Sequence, residues 1–120
     1  MVLLMDDDDA FRGALADNLR EDGYAVVDFS GVHELPPLAK LTEVKAVVTD
    51  YDMPGTDGLA FAEQFHAVHP DTPIIVVTAY STPQLEADLA TRTYLSVLRK
   101  PFDYDDLHEL LGQIVLPAHC

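Results

Sequence analysis

Positive charge is scarce in this chain: seven lysines and arginines stand against 21 aspartates and glutamates, a formal charge of −14. A surface so acidic repels phosphate backbones and anionic lipid, which argues against direct nucleic-acid or membrane contact by these residues. Cysteine is nearly absent. Cys120 is the only one and the last residue, so neither an intrachain disulfide nor a cysteine-based metal centre can form. Long apolar runs are missing as well, and no stretch reaches membrane-spanning length. The apolar opening, residues 1–5, is too short for a signal-peptide core and has no basic flank. Repeats and low-complexity tracts are absent. A cytoplasmic location is the expectation these absences leave.

What is present is ordinary globular material. With 120 residues, 48% of them hydrophobic and 23% charged, residues 1–120 are expected to form one domain around one core. Strand and helix patterns alternate. Residues 2–6 read as a strand, and Asp8 or Asp9 caps a helix running to about Asp22, with Phe11, Leu15 and Leu19 at helical spacing. Gly23 then stops it. Tyr24 to Phe29 reads as strand two. The helix due next is interrupted by Pro36-Pro37, so it is short, late or distorted. Val44 to Thr49 makes strand three. Asp57 or Thr56 caps a helix carrying Leu59, Phe61, Ala62 and Phe65 and ending near His69-Pro70. Thr72 to Thr78 is strand four, and Ser81 or Thr82 caps a helix to about Ala90 with Pro83 at its start. Residues 94–98 are strand five. Asp103 opens a last helix through Leu107, Leu110, Leu111 and Ile114, which Pro117 ends. Five βα units of this kind predict an α/β fold with a doubly wound parallel sheet.

The informative positions are the strand ends. Val47-Val48-Thr49 runs into Asp50, and Val2-Leu3-Leu4-Met5 into Asp6-Asp7-Asp8-Asp9. Ile74-Ile75-Val76-Val77 ends on Thr78, and Tyr94 to Leu98 leads through Arg99 to Lys100-Pro101-Phe102. In open α/β sheets ligands bind outside the C-terminal strand ends. Converging carboxylates resist joint ionisation unless a cation intervenes. Hard oxygen donors without histidine or cysteine suit Mg²⁺, which is satisfied by one or two carboxylates plus a phosphate. A carboxylate flanked by Mg²⁺ and a lysine is arranged to attack phosphorus and form an aspartyl-phosphate.

These residues resemble the receiver domain of two-component response regulators. The likeness rests on the acidic cluster after strand one, the D-x-x-M-P-x-x-D-G run at residues 50–58, Thr78-Ala79, and Lys100-Pro101-Phe102. Thr78 lies 28 residues and Lys100 50 residues beyond Asp50, intervals typical of that family. The resemblance implies a flavodoxin-like (βα)5 sandwich with strand order 2-1-3-4-5. It implies Asp50 as phosphoacceptor, Asp6 and Asp7 as the acidic metal pair in a register set by Arg12, and Asp8 as a shifted alternative. It implies Asp52 as a metal ligand through its backbone carbonyl, Thr78 as the switch hydroxyl, and Lys100 as the phosphoryl contact before a cis Pro101. Mg²⁺ is the implied cofactor. The implied partners are a histidine kinase or histidine phosphotransfer protein and a downstream effector domain or protein. The implied activity is phosphorylation and autodephosphorylation of the chain's own aspartate, with no turnover of an external substrate. The alternative of another class is an interaction module that keeps the fold and signals by binding, without phosphorylation.

Two rival readings use the same residues. Asp50-Tyr51-Asp52 is the D-x-D of haloacid-dehalogenase-type phosphatases, but Pro54 stands where that motif has Thr or Val. Asp50, Asp52 and Gly55 also match positions of a calcium loop whose twelfth residue would be Phe61 in place of Glu. The histidines, His66, His69 and His108 among them, read as surface or packing residues. Three positions depart from the receiver pattern: Val97 replaces the aromatic residue three before the lysine, Thr93-Tyr94 replaces Gly-Ala, and Pro36-Pro37 falls within the second helix.

Overall fold

The computed structural model describes residues 1–53, 56–79 and 82–114. Five strands form one parallel sheet: β1 (Val2–Met5), β2 (Val26–Phe29), β3 (Ala46–Asp50), β4 (Ile74–Thr78) and β5 (Leu95–Arg99). Their order is β2-β1-β3-β4-β5, every pairing parallel. Four α-helices cover the two faces: α1 (Asp9–Glu21), α2 (Gly58–Val68), α3 (Pro83–Ala90) and α4 (Tyr104–Ile114). The central strands β1, β3 and β4 are buried at every position, as continuous β-branched and aliphatic runs require when both faces are covered. The edge strand β2 is half-buried throughout.

Strand alternation divides the core in two. Leu3, Met5, Val47, Ile74 and Val76 point to one side, against Phe61 and Phe65 of α2 and Leu85 and Leu89 of α3. Val2, Leu4, Ala46, Val48, Ile75 and Val77 point to the other, against Leu15 and Leu19 of α1 and Leu107 and Leu111 of α4. The helix starts follow the capping logic of the sequence. Asp8 caps α1 by accepting from the Phe11 N–H, Asp57 caps α2 from Ala60, and Thr82 caps α3 from Leu85. Gly23 follows α1 at φ 95°, a left-handed turn that glycine adopts without steric cost.

The fifth α-helix does not form. Between β2 and β3 the chain makes only two single 3₁₀ turns, Val32–Glu34 and Leu38–Lys40, because Pro36 and Pro37 supply no backbone N–H for an α-helical ladder. The expected βα repeat is therefore broken at its second unit, and Val32, Leu35, Leu38 and Leu41 from this segment pack on the α2 side of the sheet. Smaller differences are of one or two residues: β2 begins at Val26, β3 and β5 end one residue later than expected, and α4 begins one residue after Asp103. The Pro54-Gly55 turn, the Ser81 cap and the Pro117 stop lie outside the described residues. No helix among the described residues is long and apolar enough to cross a membrane.

The link from β3 into α2 is tight. Asp52–Met53 pairs antiparallel with Thr56–Asp57, and the Gly58 N–H donates to the Tyr51 carbonyl at 2.6 Å. A Cβ on Gly58 would run into the backbone carbonyl oxygen of Asp50 and stand 2.8 Å from Tyr51 Cα, so only glycine fits. Gly58→Ala is expected to cost about 1–3 kcal/mol as an overpacking change, read as a lower midpoint in denaturant, and to shift the amide resonances of residues 50–52.

Candidate functional site

All strands of a parallel sheet end at the same edge, so the residues singled out by the sequence meet there. Asp6 directly follows β1, Asp50 closes β3, Thr78 closes β4, and Lys100 directly follows β5. Asp6, Asp50 and Thr78 are 2%, 8% and 2% exposed; Asp7 is exposed. One carboxylate oxygen from each of Asp6, Asp7 and Asp50 falls within a group whose members lie within 4.8 Å of one another. Lys100 Nζ stands between the two buried acids, 3.5 Å from Asp6 Oδ2 and 3.6 Å from Asp50 Oδ1. Its backbone N–H donates to the Thr78 carbonyl at 2.9 Å, which ties the lysine to the end of β4. The Lys100–Pro101 peptide is cis.

Backbone amides supply part of the neutralisation. The Asp8 N–H donates to Asp6 Oδ1 at 2.9 Å, and the Asp52 N–H donates to the Asp50 carboxylate. Asp52 thus borders the site through its main chain. The run Asp6 to Asp9 divides by role: Asp6 and Asp7 face the site, Asp8 caps α1, and Asp9 pairs with Arg12 at 2.8 Å. Asp8, the shifted alternative, has its Oδ1 engaged in the α1 cap.

Two residues that bear on the lysine and the acids were not singled out by sequence reasoning. Phe11 reads in the sequence only as part of the apolar stripe of α1, yet Lys100 Nζ lies 4.8 Å from its ring centroid, within cation–π range. Phe102 meets the same ring edge-on at 5.9 Å. Asp28, on β2, accepts from Arg12 Nε at 3.0 Å. No local pattern signals either contact, since the partners are distant in sequence.

The electrostatics follow from burial. Asp6 is raised above the ordinary carboxylate value chiefly by desolvation, with the Asp8 N–H and Lys100 pulling it back. Asp50 is raised by desolvation first and by the Asp6 charge second, with Lys100 and the Asp52 N–H opposing. Three converging carboxylates and one ammonium leave excess negative charge in hard oxygen donors, the donor set that a small divalent cation such as Mg²⁺ satisfies. The residues present fit that ion.

A carboxylate raised in the fold keeps its proton to higher pH than it does in the unfolded chain. The folded state therefore loses stability as pH rises from the unfolded value through the raised one, and regains it as pH falls. Asp50→Asn removes this penalty. Without metal and near neutral pH the variant is expected to be more stable than wild type, with the gap closing in acid where Asp50 is protonated. Paired thermal melts across pH measure it; a variant that melts lower at neutral pH contradicts the crowding.

Residues 2–112 match the family model of the response regulator receiver domain. The chain is 32% identical over 116 residues to the DNA-binding transcriptional regulator NtrC of Escherichia coli, an alignment covering 96% of this chain and 24% of that protein. It is 36% identical over 107 residues to the transcriptional regulatory protein PdtaR of Mycobacterium tuberculosis, covering 88% of this chain and 52% of that one. The chain thus spans a quarter to a half of the length of these relatives. Among solved structures, the chemotaxis protein CheY4 of Vibrio cholerae superposes with a TM-score of 0.81 at 25% identity, covering 94% of this chain and 96% of that one.

Proposed function

The chain belongs to the response regulator receiver domain family, and from that premise we propose that Asp50 accepts a phosphoryl group from a histidine kinase or a histidine phosphotransfer protein. The observation that carries this reading is the placement of Asp50 at the end of a central strand, beside two other acids and 3.6 Å from Lys100. In the reaction an Asp50 carboxylate oxygen attacks phosphorus, a P–O bond forms, and the donor's P–N bond breaks with its electron pair going to nitrogen, which leaves neutral imidazole when the donor's other ring nitrogen carries a proton. The reacting pair is held by position and charge, which suffices for phosphoryl transfer. Asp6, Asp7 and Asp50, with the main-chain carbonyl of Asp52, would hold Mg²⁺, whose charge offsets that of the phosphoryl oxygens. Lys100 contributes its ammonium to those oxygens, and the Thr78 hydroxyl a hydrogen bond. Attack of water on phosphorus breaks the Asp50 O–P bond, releases inorganic phosphate and restores the carboxylate, so the chain acts on its own side chain and turns over no external substrate.

Residues 1–120 act in this reading as one receiver unit, in the cytoplasm, coupled to an effector domain or protein, while the charge of −14 keeps the unit itself off nucleic acid. Readout is altered relative to the family pattern. Val97 is 37% exposed on β5 and offers no ring to move inward as Thr78 engages the phosphoryl group.

Incubation with acetyl phosphate and Mg²⁺ is expected to add one phosphate by intact mass, and Asp50→Asn to abolish the addition. Labelling that persists at full level in Asp50→Asn overturns the assignment.

A further inference from the structure

We infer that Arg12 is a positioning residue for the Asp6–Asp7 pair, acting through the peptide that joins them; the inference rests on reading that pair as divalent-cation ligands. Each polar group of Asp6 has a partner. Its N–H donates to the Phe29 carbonyl at 3.2 Å, Oδ1 accepts from the Asp8 N–H at 2.9 Å, and Oδ2 faces Lys100 at 3.5 Å. Its carbonyl accepts from Arg12 Nη1 at 2.7 Å. That carbonyl belongs to the Asp6–Asp7 peptide, whose orientation decides where the exposed Asp7 carboxylate is aimed.

The donor is itself held at two further points. Arg12 Nε donates to Asp28 Oδ2 at 3.0 Å, and Nη2 lies 2.8 Å from Asp9 Oδ1. Because the guanidinium is a rigid planar fork, fixing Nε and Nη2 leaves Nη1 one direction, toward the Asp6 carbonyl. Arg12 is 15% exposed on its side chain, so water competes little for these bonds. Asp28 stands opposite Leu4 in the β1–β2 register, so β2, which bears none of the acids or the lysine of the site, reaches it through the Phe29 carbonyl and through Asp28 and Arg12. Partners that orient metal ligands from outside the coordination sphere typically change metal affinity by about 10–100-fold when removed.

A merely structural role, neutralising Asp9 and Asp28 between α1 and β2, would move stability and leave cation affinity alone. Calorimetric titration of Mg²⁺ into the full chain separates the two. Wild type is the control: if it binds no Mg²⁺, the reading of the acids as metal ligands fails, independently of Arg12. Given binding by wild type, Arg12→Met is expected to weaken it about 10–100-fold. Arg12→Lys, which keeps the charge and loses the fork, is expected to resemble Arg12→Met. Asp28→Asn, which leaves Arg12 in place, is expected to weaken Mg²⁺ in the same direction. In the metal-free protein the Asp7 amide nitrogen resonance should shift in all three. Mg²⁺ affinity equal to wild type in Arg12→Lys and Asp28→Asn overturns the inference, whatever happens to the melting temperature or to the folding of Arg12→Met.

Discussion

Two buried carboxylates sharing one ammonium is the constraint on which the working edge of this molecule depends. Asp6 and Asp50 are almost withdrawn from water, where an uncompensated charge is costly. Lys100 faces both, and one backbone N–H donates to each. The remaining features of the edge follow from that need. Lys100 is steadied against the face of Phe11, Phe11 against Phe102, and the Asp6 backbone is clasped by β2 on one side and Arg12 on the other. The helices behind the sheet matter to the site because they bury it, and burial is what makes the charges interact strongly.

Much of this arrangement was legible in the sequence, for physical reasons. A parallel strand covered on both faces must be apolar throughout, so the first charged or hydroxyl residue after such a run marks its end. Four runs ended on Asp6, Asp50, Thr78 and, after Arg99, Lys100, and a parallel sheet puts all such ends on one edge. Caps at Asp8, Asp57 and Thr82 were readable because a short polar side chain satisfies a nearby N–H. The second crossover was legible only as a conflict: Pro36-Pro37 opposed a helix that the alternation of elements demanded, and the prolines prevailed. The contacts of Phe11 and of Asp28 were not legible. They depend on which helix face meets which strand end, and no local pattern encodes that.

The same logic explains the far side of the molecule. Tyr94 precedes β5 and lies flat on His66 of α2, ring centroids 3.6 Å apart and planes 4° from parallel. Nearby, Arg92 pairs with Glu63 of α2. The entry to β5 is thus fastened to α2, whereas its middle, at Val97, is exposed. His69 bonds the Leu38 carbonyl at 2.6 Å, joining α2 to the irregular crossover that replaces the missing helix. His66 in α2 and His69 just after it thus serve as packing and tethering groups, as the sequence suggested.

The strand order carries one more consequence. Asp6 follows the first strand and Lys100 the last, and β1 pairs with β3 across the whole of α1, β2 and the crossover. Pairings of such long sequence separation require chain entropy to be given up before they return any energy. A chain emerging from synthesis holds its acids and its lysine apart until the final strand has docked. The gathered site exists only where β1, β3, β4 and β5 lie side by side, so its presence reports that these four strands have found their neighbours.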